Sequence, residues 1–111
     1  MPASTCLLVE PIGSKTSDYA RLILNAGCFE VLVAHGDDEA RNYVSEHSWL
    51  STLIVDSAVR GYPELVRFVR RRSPKAMIIV VGEAEAKSLP EATAIIARNR
   101  PDDLLEALRG R

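Results

Sequence analysis

The chain has 111 residues, of which 47% are hydrophobic, and its 14 basic and 15 acidic side chains leave a formal net charge of −1. This length and composition predict one domain, spanning residues 1–111, with a single core. The nearly neutral balance argues against an electrostatic grip on nucleic acid, and no segment reaches the roughly 20 apolar residues that a membrane span needs. We therefore expect a cytoplasmic protein whose partners are proteins or small ligands.

Short apolar runs alternate along the chain with segments whose apolar residues recur at helical spacing, which predicts a mostly parallel sheet covered on both faces. The predicted strands are Thr5 to Val9, Glu30 to Ala34, Leu53 to Asp56, Met77 to Val81 and Thr93 to Ala97. The two cysteines, Cys6 and Cys28, have no spacing typical of a zinc site, so we expect buried free thiols.

Helical periodicity predicts four helices, beginning near Thr16, Asp37, Pro63 and Pro101. Asp37 is expected to cap the second helix, and Pro63 to occupy the first turn of the third. The side chains predicted to face the core are Tyr19, Leu22, Ile23 and Ala26, then Ala40, Tyr43 and Val44, then Leu65, Phe68 and Val69, and finally Leu104, Leu105 and Leu108. From Glu83 to Ala92 the pattern fails, because Leu89 is the only large apolar residue there, so a loop or one turn is predicted.

Side chains that follow parallel strands meet at the carboxyl edge of the sheet, where ligands bind in open α/β folds. Here they are Glu10, Asp56, Glu83 and Arg98. Asp56 stands out because it directly follows the apolar run of the central predicted strand. Periodicity alone leaves a second interpretation equally open, in which Asp56 only satisfies backbone donors in the following loop.

The order of motifs resembles the receiver domains of bacterial response regulators over nearly the whole chain. The segments that carry this resemblance are Leu7-Leu8-Val9-Glu10-Pro11, Ala26-Gly27-Cys28-Phe29-Glu30-Val31, Leu53-Ile54-Val55-Asp56, Met77-Ile78-Ile79-Val80-Val81 and Pro101-Asp102-Asp103-Leu104-Leu105. The resemblance implies a flavodoxin-like, doubly wound, five-stranded parallel sheet in the order 2-1-3-4-5. Because the segment between the last two strands is short, we expect the family's fourth helix to be shortened or absent.

The resemblance implies that Asp56 is the phospho-acceptor and that Glu10 and Asp56 are ligands for Mg2+. The family uses two acidic residues after the first strand, and Pro11 occupies the second of these positions, so we expect weak Mg2+ binding. Gly82 stands where the family keeps a Thr or Ser that contacts the phosphoryl group. Ala97 and Arg98 align with the family's Lys-Pro pair in a shifted register. These switch positions depart from the family pattern, so we do not expect the family's usual phosphorylation-driven switch.

A short fourth connection would leave part of the sheet open, and such apolar surface commonly marks a contact site. We expect this partner-binding region to include Glu83, Leu89, Ile95 and Leu104, and to bind another protein or a second copy of the chain. The alternative is that Leu89 and its loop fold down and cover the surface.

The resemblance predicts a single-domain, response-regulator-like protein in two-component signalling that acts by protein contact. Its partners would be a histidine kinase or phosphotransfer protein and an unknown downstream protein. It would not be an enzyme beyond self-phosphorylation and dephosphorylation at Asp56. Two alternatives remain: a dimerisation or scaffold module that needs no phosphorylation, and a regulator that binds a small anion through residues Gly13 to Thr16 and Arg98.

Two further groups of side chains were assigned no chemistry from the sequence. Arg70, Arg71 and Arg72, with Lys75, are interpreted as a solvated helix end, where cations are favourable. His35 and His47 are separated by a predicted helix, and neither has an evident nucleophile or metal-binding partner in the sequence.

Overall fold

The computed structural model describes residues 4–12, 29–46, 50–82, 90–96 and 101–108. The strands in these residues are β1 (Ser4–Glu10), β2 (Phe29–His35), β3 (Thr52–Asp56), β4 (Met77–Val81) and β5 (Ala94–Ile96). The helices are α1 (Asp37–Glu46), α2 (Tyr62–Arg72) and α3 (Pro101–Leu108). The helix predicted from Thr16 to Ala26, with its four core side chains, lies outside the described residues, and so does Cys28.

All strand pairs are parallel, and the sheet order is β2-β1-β3-β4-β5. The predicted flavodoxin-like order is therefore confirmed. The prediction for β4 matches its bounds, whereas β5 begins one residue later than predicted. Thr93 precedes β5 and exchanges two bonds with β4: its amide donates to the carbonyl of Ile78 at 2.7 Å, and its Oγ1 accepts from the Ile78 amide at 3.0 Å.

Alternate residues of each strand face opposite sides of the sheet and build two core clusters. The first core cluster, covered by α1 and α2, contains Leu7, Val9, Ala34, Ala40, Val44, Leu50, Leu53, Val55, Val59, Leu65, Val66, Val69, Ile78 and Val80. The second core cluster, covered by α3, contains Cys6, Leu8, Ile54, Ile79, Val81, Ile96 and Leu104. Burial on both faces explains why the strands read as continuous apolar runs.

Of the predicted core side chains that the structure describes, Ala40, Val44, Leu65, Val69 and Leu104 are buried. Val66, which was not predicted, is also buried, whereas Tyr43, Phe68 and Leu108 are partly buried against the clusters. The side chain of Leu105 lies outside the described set. Helix α2 therefore packs one more side chain, Val66, against the first core cluster than its periodicity predicted.

The starts of α1 and α2 differ in how well they were predicted. Pro63 lies in the first turn of α2, as predicted, after Gly61 with φ 80°. The prediction that Asp37 caps α1 is wrong, because Asp37 is the first helical residue and its carboxylate accepts a hydrogen bond from Arg41 Nε at 2.9 Å. Glu39 instead reaches back, and its Oε1 accepts from the amide of His35 at 3.0 Å. The backbone donor before the helix is therefore satisfied by a residue in the first turn.

The connection between β4 and β5 is described only at its two ends. Gly82 follows β4, and Pro90 and Glu91 form a turn that leads into β5. Residues 83–89 lie outside the described residues, so the part of the connection where a shortened helix was predicted is described only from Pro90 onward.

Candidate functional site

Three ionisable side chains end three neighbouring strands at the carboxyl edge of the sheet. Glu10 ends β1, His35 ends β2 and Asp56 ends β3. Glu10 pairs with His35 in the β1–β2 register, and the β1–β3 register runs through Val9 and Val55, one residue before Glu10 and Asp56. The sheet order thus assembles a candidate site from residues that are far apart in sequence.

Asp56 is half-buried at the end of the central strand, directly after the fully buried Val55. Its Oδ1 accepts a hydrogen bond from the amide of Ala58 at 2.8 Å, and its carbonyl accepts from the amide of Val59 at 3.0 Å. The next residue, Ser57, donates its amide to the carbonyl of Val81 at 2.8 Å. Asp56 therefore lies at the carboxyl edge of the sheet and also satisfies a backbone donor in its own loop.

Glu10 is buried, with 4% of its surface exposed. Its Oε1 lies 3.7 Å from His35 Nε2, and the two side chains are 6% and 34% exposed. Its carbonyl also accepts a hydrogen bond from the amide of Gly36 at 2.9 Å. The structure therefore adds His35 to the site, which sequence reasoning missed. The strand order 2-1-3-4-5 was the signal that could have found it, since this order makes the ends of the first two strands neighbours.

The loop after β1 begins with two residues whose side chains carry no metal-binding oxygen, Pro11 and Ile12. Pro11 is half-buried and offers no side-chain ligand, and the next residue, Ile12, is 83% exposed. Ile12 lies against Gly36, where an added Cβ would approach Ile12 Cγ1 to 2.9 Å. Gly36 has φ 97°, which L side chains rarely adopt. The β1 and β2 loops therefore approach each other closely at a position that requires glycine.

An open cleft of about 540 Å³ lies beside this edge. It is bordered by the loops after β1, β2 and β3 and by the first turn of α1. The lining residues are Pro11, Ile12, His35, Gly36, Asp37, Asp38, Ala58, Val59, Arg60 and Gly61. His35 is thus reached from solvent through a cleft that lies next to the Asp56 loop.

Gly82, which the resemblance placed at the position of a family hydroxyl residue, has a backbone conformation that favours glycine. Its φ is 131°, and its amide donates to the carbonyl of Ile96 at 2.8 Å. A Thr or Ser here would be strained, because L side chains rarely adopt that region. The departure from the family pattern at Gly82 is therefore a matter of backbone geometry as well as of a missing hydroxyl.

The predicted partner-binding region is only partly described. Glu83 and Leu89 lie outside the described residues, as do Ala97 and Arg98 of the predicted switch positions, and Gly13 to Thr16. Ile95 is half-buried and packs against the first core cluster with Ala92. The prediction that Leu104 lies on this surface is wrong, because Leu104 is fully buried in the second core cluster on the opposite face of the sheet.

Arg70 has a structural role that the sequence did not reveal. Its guanidinium donates to the carbonyls of Pro74, Ala76 and Glu91 and to Thr93 Oγ1, at distances from 2.7 to 3.3 Å. The interpretation of the basic run as a solvated helix end is therefore wrong for Arg70, whereas Arg71, Arg72 and Lys75 are exposed. Periodicity could not separate them, because the partners of Arg70 include Glu91 and Thr93, which are more than 20 residues away in sequence.

In the part of the chain that the structure describes, no three His, Cys, Asp or Glu side chains form a metal-binding group. No helix among these residues is both long and apolar enough to cross a membrane.

Several solved structures with the same architecture are response regulator receiver domains. A CheY-like receiver domain from Methanospirillum hungatei JF-1 has a TM-score of 0.82 and 19% identity, covering 98% of this chain and 93% of its own. The chemotaxis response regulator CheY4 of Vibrio cholerae has a TM-score of 0.79 and 20% identity, with 98% of each chain covered. The chain has the receiver fold.

A third similar structure is a response regulator from Burkholderia pseudomallei that contains a phosphorylated aspartic acid, a calcium ion and citrate. It has a TM-score of 0.71 and 18% identity, and the alignment covers 97% of this chain and 75% of that one. No family model and no curated protein sequence matches the chain. The receiver fold is thus shared across nearly the whole length at low sequence identity.

Within the receiver fold, the site departs from the family pattern at defined places. Glu10 and Asp56 lie at the ends of β1 and β3, and Pro11 and Gly82 stand at the positions where the resemblance implied a departure from an acidic and a hydroxyl residue. The carboxylate set that the family uses for Mg2+ is therefore not matched by these residues, because Pro11 supplies no oxygen ligand from its side chain.

Proposed function

We propose that the chain acts by protein contact in two-component signalling and that Asp56 is its phospho-acceptor. The observation that carries this proposal is the position of Asp56 at the carboxyl end of the central strand of a receiver fold. A histidine kinase or a phosphotransfer protein would be the donor, and an unidentified protein would be the downstream partner. A similar structure from Burkholderia pseudomallei contains a phosphorylated aspartic acid, which supports this chemistry for the fold.

The transfer would use a carboxylate oxygen of Asp56 as nucleophile. A new bond forms between this oxygen and phosphorus as the bond from phosphorus to the donor breaks, and the donor leaves with the electron pair. The bond from the Ala58 amide to Asp56 Oδ1 holds the carboxylate in one orientation at the strand end. The contribution of the chain to the transfer would thus be to position the Asp56 carboxylate.

We propose that Glu10 and Asp56 bind Mg2+ only weakly, if they bind it at all. The acidic partner that the family places after Glu10 is Pro11 in this chain, and Glu10 itself lies beside His35. We therefore expect phosphorylation of Asp56 to be slower than in receivers that keep the complete acidic set.

Intact mass after incubation with acetyl phosphate and Mg2+ tests the proposal. Wild-type chain and Asp38→Asn should each gain one phosphoryl group, whereas Asp56→Asn should gain none. Asp38 is a matched control because it is an exposed aspartate that lines the neighbouring cleft. If the wild type gains no mass from acetyl phosphate or from a phosphorylated histidine donor, or if Asp56→Asn gains as much, the proposal is wrong.

A contact module that needs no phosphorylation is the second candidate. It is favoured by the positive φ of Gly82, since the position of the family's switch hydroxyl is held in a conformation that suits glycine. In this case Asp56→Asn would leave partner binding unchanged, and co-purification of partners with the wild type and with this variant would give the same set.

A further inference from the structure

A second pocket, of about 450 Å³, lies at the opposite edge of the sheet from Asp56. Its lining includes Leu50 and Ser51, which lead into β3, Ala76, which leads into β4, and Arg72, the last residue of α2. Because the strands are parallel, these residues lie where the strands begin, at the amino edge of the sheet. We call this recess the amino-edge pocket. The proposed phosphorylation chemistry gives it no role.

The amino-edge pocket combines buried apolar residues with exposed cations. Leu50 and Ala76 are 4% and 5% exposed, and Pro74 is exposed beside them. Arg72 and Lys75 also line the pocket, and both are exposed. The described residues of this lining include no Asp or Glu. Such a recess favours a ligand that carries an apolar group between negative charges.

The two cations of the amino-edge pocket are not neutralised within the described part of the chain. Neither Arg72 nor Lys75 forms an ion pair with a described acidic residue. By contrast, Arg41 pairs with Asp37, with Nε 2.9 Å from Oδ1, and Arg70 donates to backbone carbonyls. The positive charge that the fold leaves unpaired on this side therefore includes the two side chains at the pocket.

The guanidinium of Arg72 is held in place by an aromatic ring. Its Cζ lies 5.6 Å from the centroid of the half-buried Phe68 ring, and Cζ of Arg41 lies 5.0 Å from the same centroid. Stacking of this kind restricts the positions that a guanidinium samples, so less conformational freedom is lost when it binds an anion. Arg72 is therefore a partly pre-organised contact for a carboxylate.

The small extent of this charged surface decides the class of ligand. A nucleic acid is held by basic side chains that follow several phosphates, and the whole chain has a formal net charge of −1. Two cations beside one apolar recess instead match a short acidic segment with a single apolar anchor.

We infer that the amino-edge pocket binds an acidic segment of a partner protein. An apolar side chain of the segment enters the recess, and carboxylates on either side of it contact Arg72 and Lys75. The inference rests on that part of the proposed function in which the chain acts by protein contact. It does not require phosphorylation of Asp56.

Fluorescence anisotropy of the full chain with a fluorescein-labelled peptide tests the inference. The peptide has a central phenylalanine with three glutamates on each side. Arg72→Gln and Lys75→Gln should each weaken binding about threefold or more. Arg71→Gln is the matched control, because Arg71 is an exposed neighbour outside the pocket lining, and it should weaken binding less than about twofold. Replacing the phenylalanine of the peptide with alanine should weaken binding about tenfold.

A second measurement needs no variant. In 1H–15N NMR spectra of the wild type, addition of the peptide should shift the amide signals of Ser51 and Ala76, whereas that of Ala58, beside Asp56, should not move. Asp56→Asn should bind the peptide like the wild type. Failure of Asp56 to accept phosphate would therefore leave these readouts unchanged, so the two proposals can fail separately.

Four outcomes would overturn the inference. The first is that the wild type does not bind the peptide, and the second is that Arg71→Gln weakens binding as much as Arg72→Gln, which would indicate attraction without a site. The third is that the peptide shifts the signal of Ala58 and not those of the pocket. The fourth is that a single-stranded oligonucleotide binds more tightly than the peptide at equal ionic strength, which would assign the surface to nucleic acid.

Discussion

Arg70 donates two hydrogen bonds to the carbonyl oxygen of Glu91, from Nε at 3.1 Å and from Nη2 at 2.9 Å. The last turn of α2 thereby holds the segment that leads into β5. Arg67, one turn earlier, adds an ion pair with the Glu91 carboxylate, in which Nε and Oε1 are 3.8 Å apart. The described end of the short fourth connection is thus fastened to α2, and Ala92 packs on the first core cluster beside it.

Replacing Arg70 with Met should lower the free energy of unfolding by about 2–3 kcal/mol, because the aliphatic stem is kept while several backbone carbonyls lose a charged donor. Urea denaturation measures the loss, and hydrogen exchange should speed up at the amides of Ile78 and Thr93. Arg71→Met is the control, since Arg71 is exposed, and it should change stability by no more than about 0.5 kcal/mol. Equal effects of the two variants would show that the Arg70 bonds do not stabilise the connection.

Gly36→Ala should destabilise the fold by about 1–2 kcal/mol, because φ of 97° is unfavourable for a residue with a Cβ. The steric contact with Ile12 should matter less, since that side chain is 83% exposed and free to move. The double variant Gly36→Ala with Ile12→Ala separates the two causes in thermal denaturation. We expect it to recover less than half of the loss, and full recovery would assign the cost to the contact and not to the backbone.

Gly82→Thr, which restores the hydroxyl of the family pattern, should destabilise the chain by about 1–3 kcal/mol. The cause is the φ of 131° at a buried position. Gly82→Ala carries the same backbone penalty without the hydroxyl, so the two variants should lose similar stability in urea. A threonine variant as stable as the wild type would mean that this loop adopts another conformation without strain.

Burial raises the pKa of the Cys6 thiol from its ordinary value of 9.0 to about 12. Because the folded chain then holds this proton more tightly than the unfolded chain, the free energy of unfolding should fall as pH rises from about 9 towards 12. The slope from this one group is at most about 1.4 kcal/mol per pH unit. Cys6→Ala should lower stability at neutral pH and show a flatter fall above pH 9 in equilibrium unfolding. Parallel profiles for the two proteins would contradict the assignment.

Much of the scaffold was predictable from local patterns in the sequence. The apolar run Met77-Ile78-Ile79-Val80-Val81 predicted β4 with its observed bounds, and Pro63 marked the first turn of α2. Such features depend on burial on both faces of a parallel sheet and on the fixed φ of proline, so neighbouring residues are sufficient to reveal them. The position of Asp56 at the end of the central strand followed for the same reason.

Contacts between distant segments were decided only by the tertiary structure. Nothing near His35 in sequence indicates Glu10, and the two meet because β2 lies beside β1 in the sheet. Arg70 resembles its neighbours in the basic run, yet among the described residues it is the arginine of this run that donates to Glu91, in the segment before β5. Leu104 was assigned to a contact surface but is buried, because helical periodicity identifies an apolar face without saying what covers it. The sequence therefore identified candidate site residues by their side-chain chemistry, and the order of the parallel strands determined which of these residues lie together.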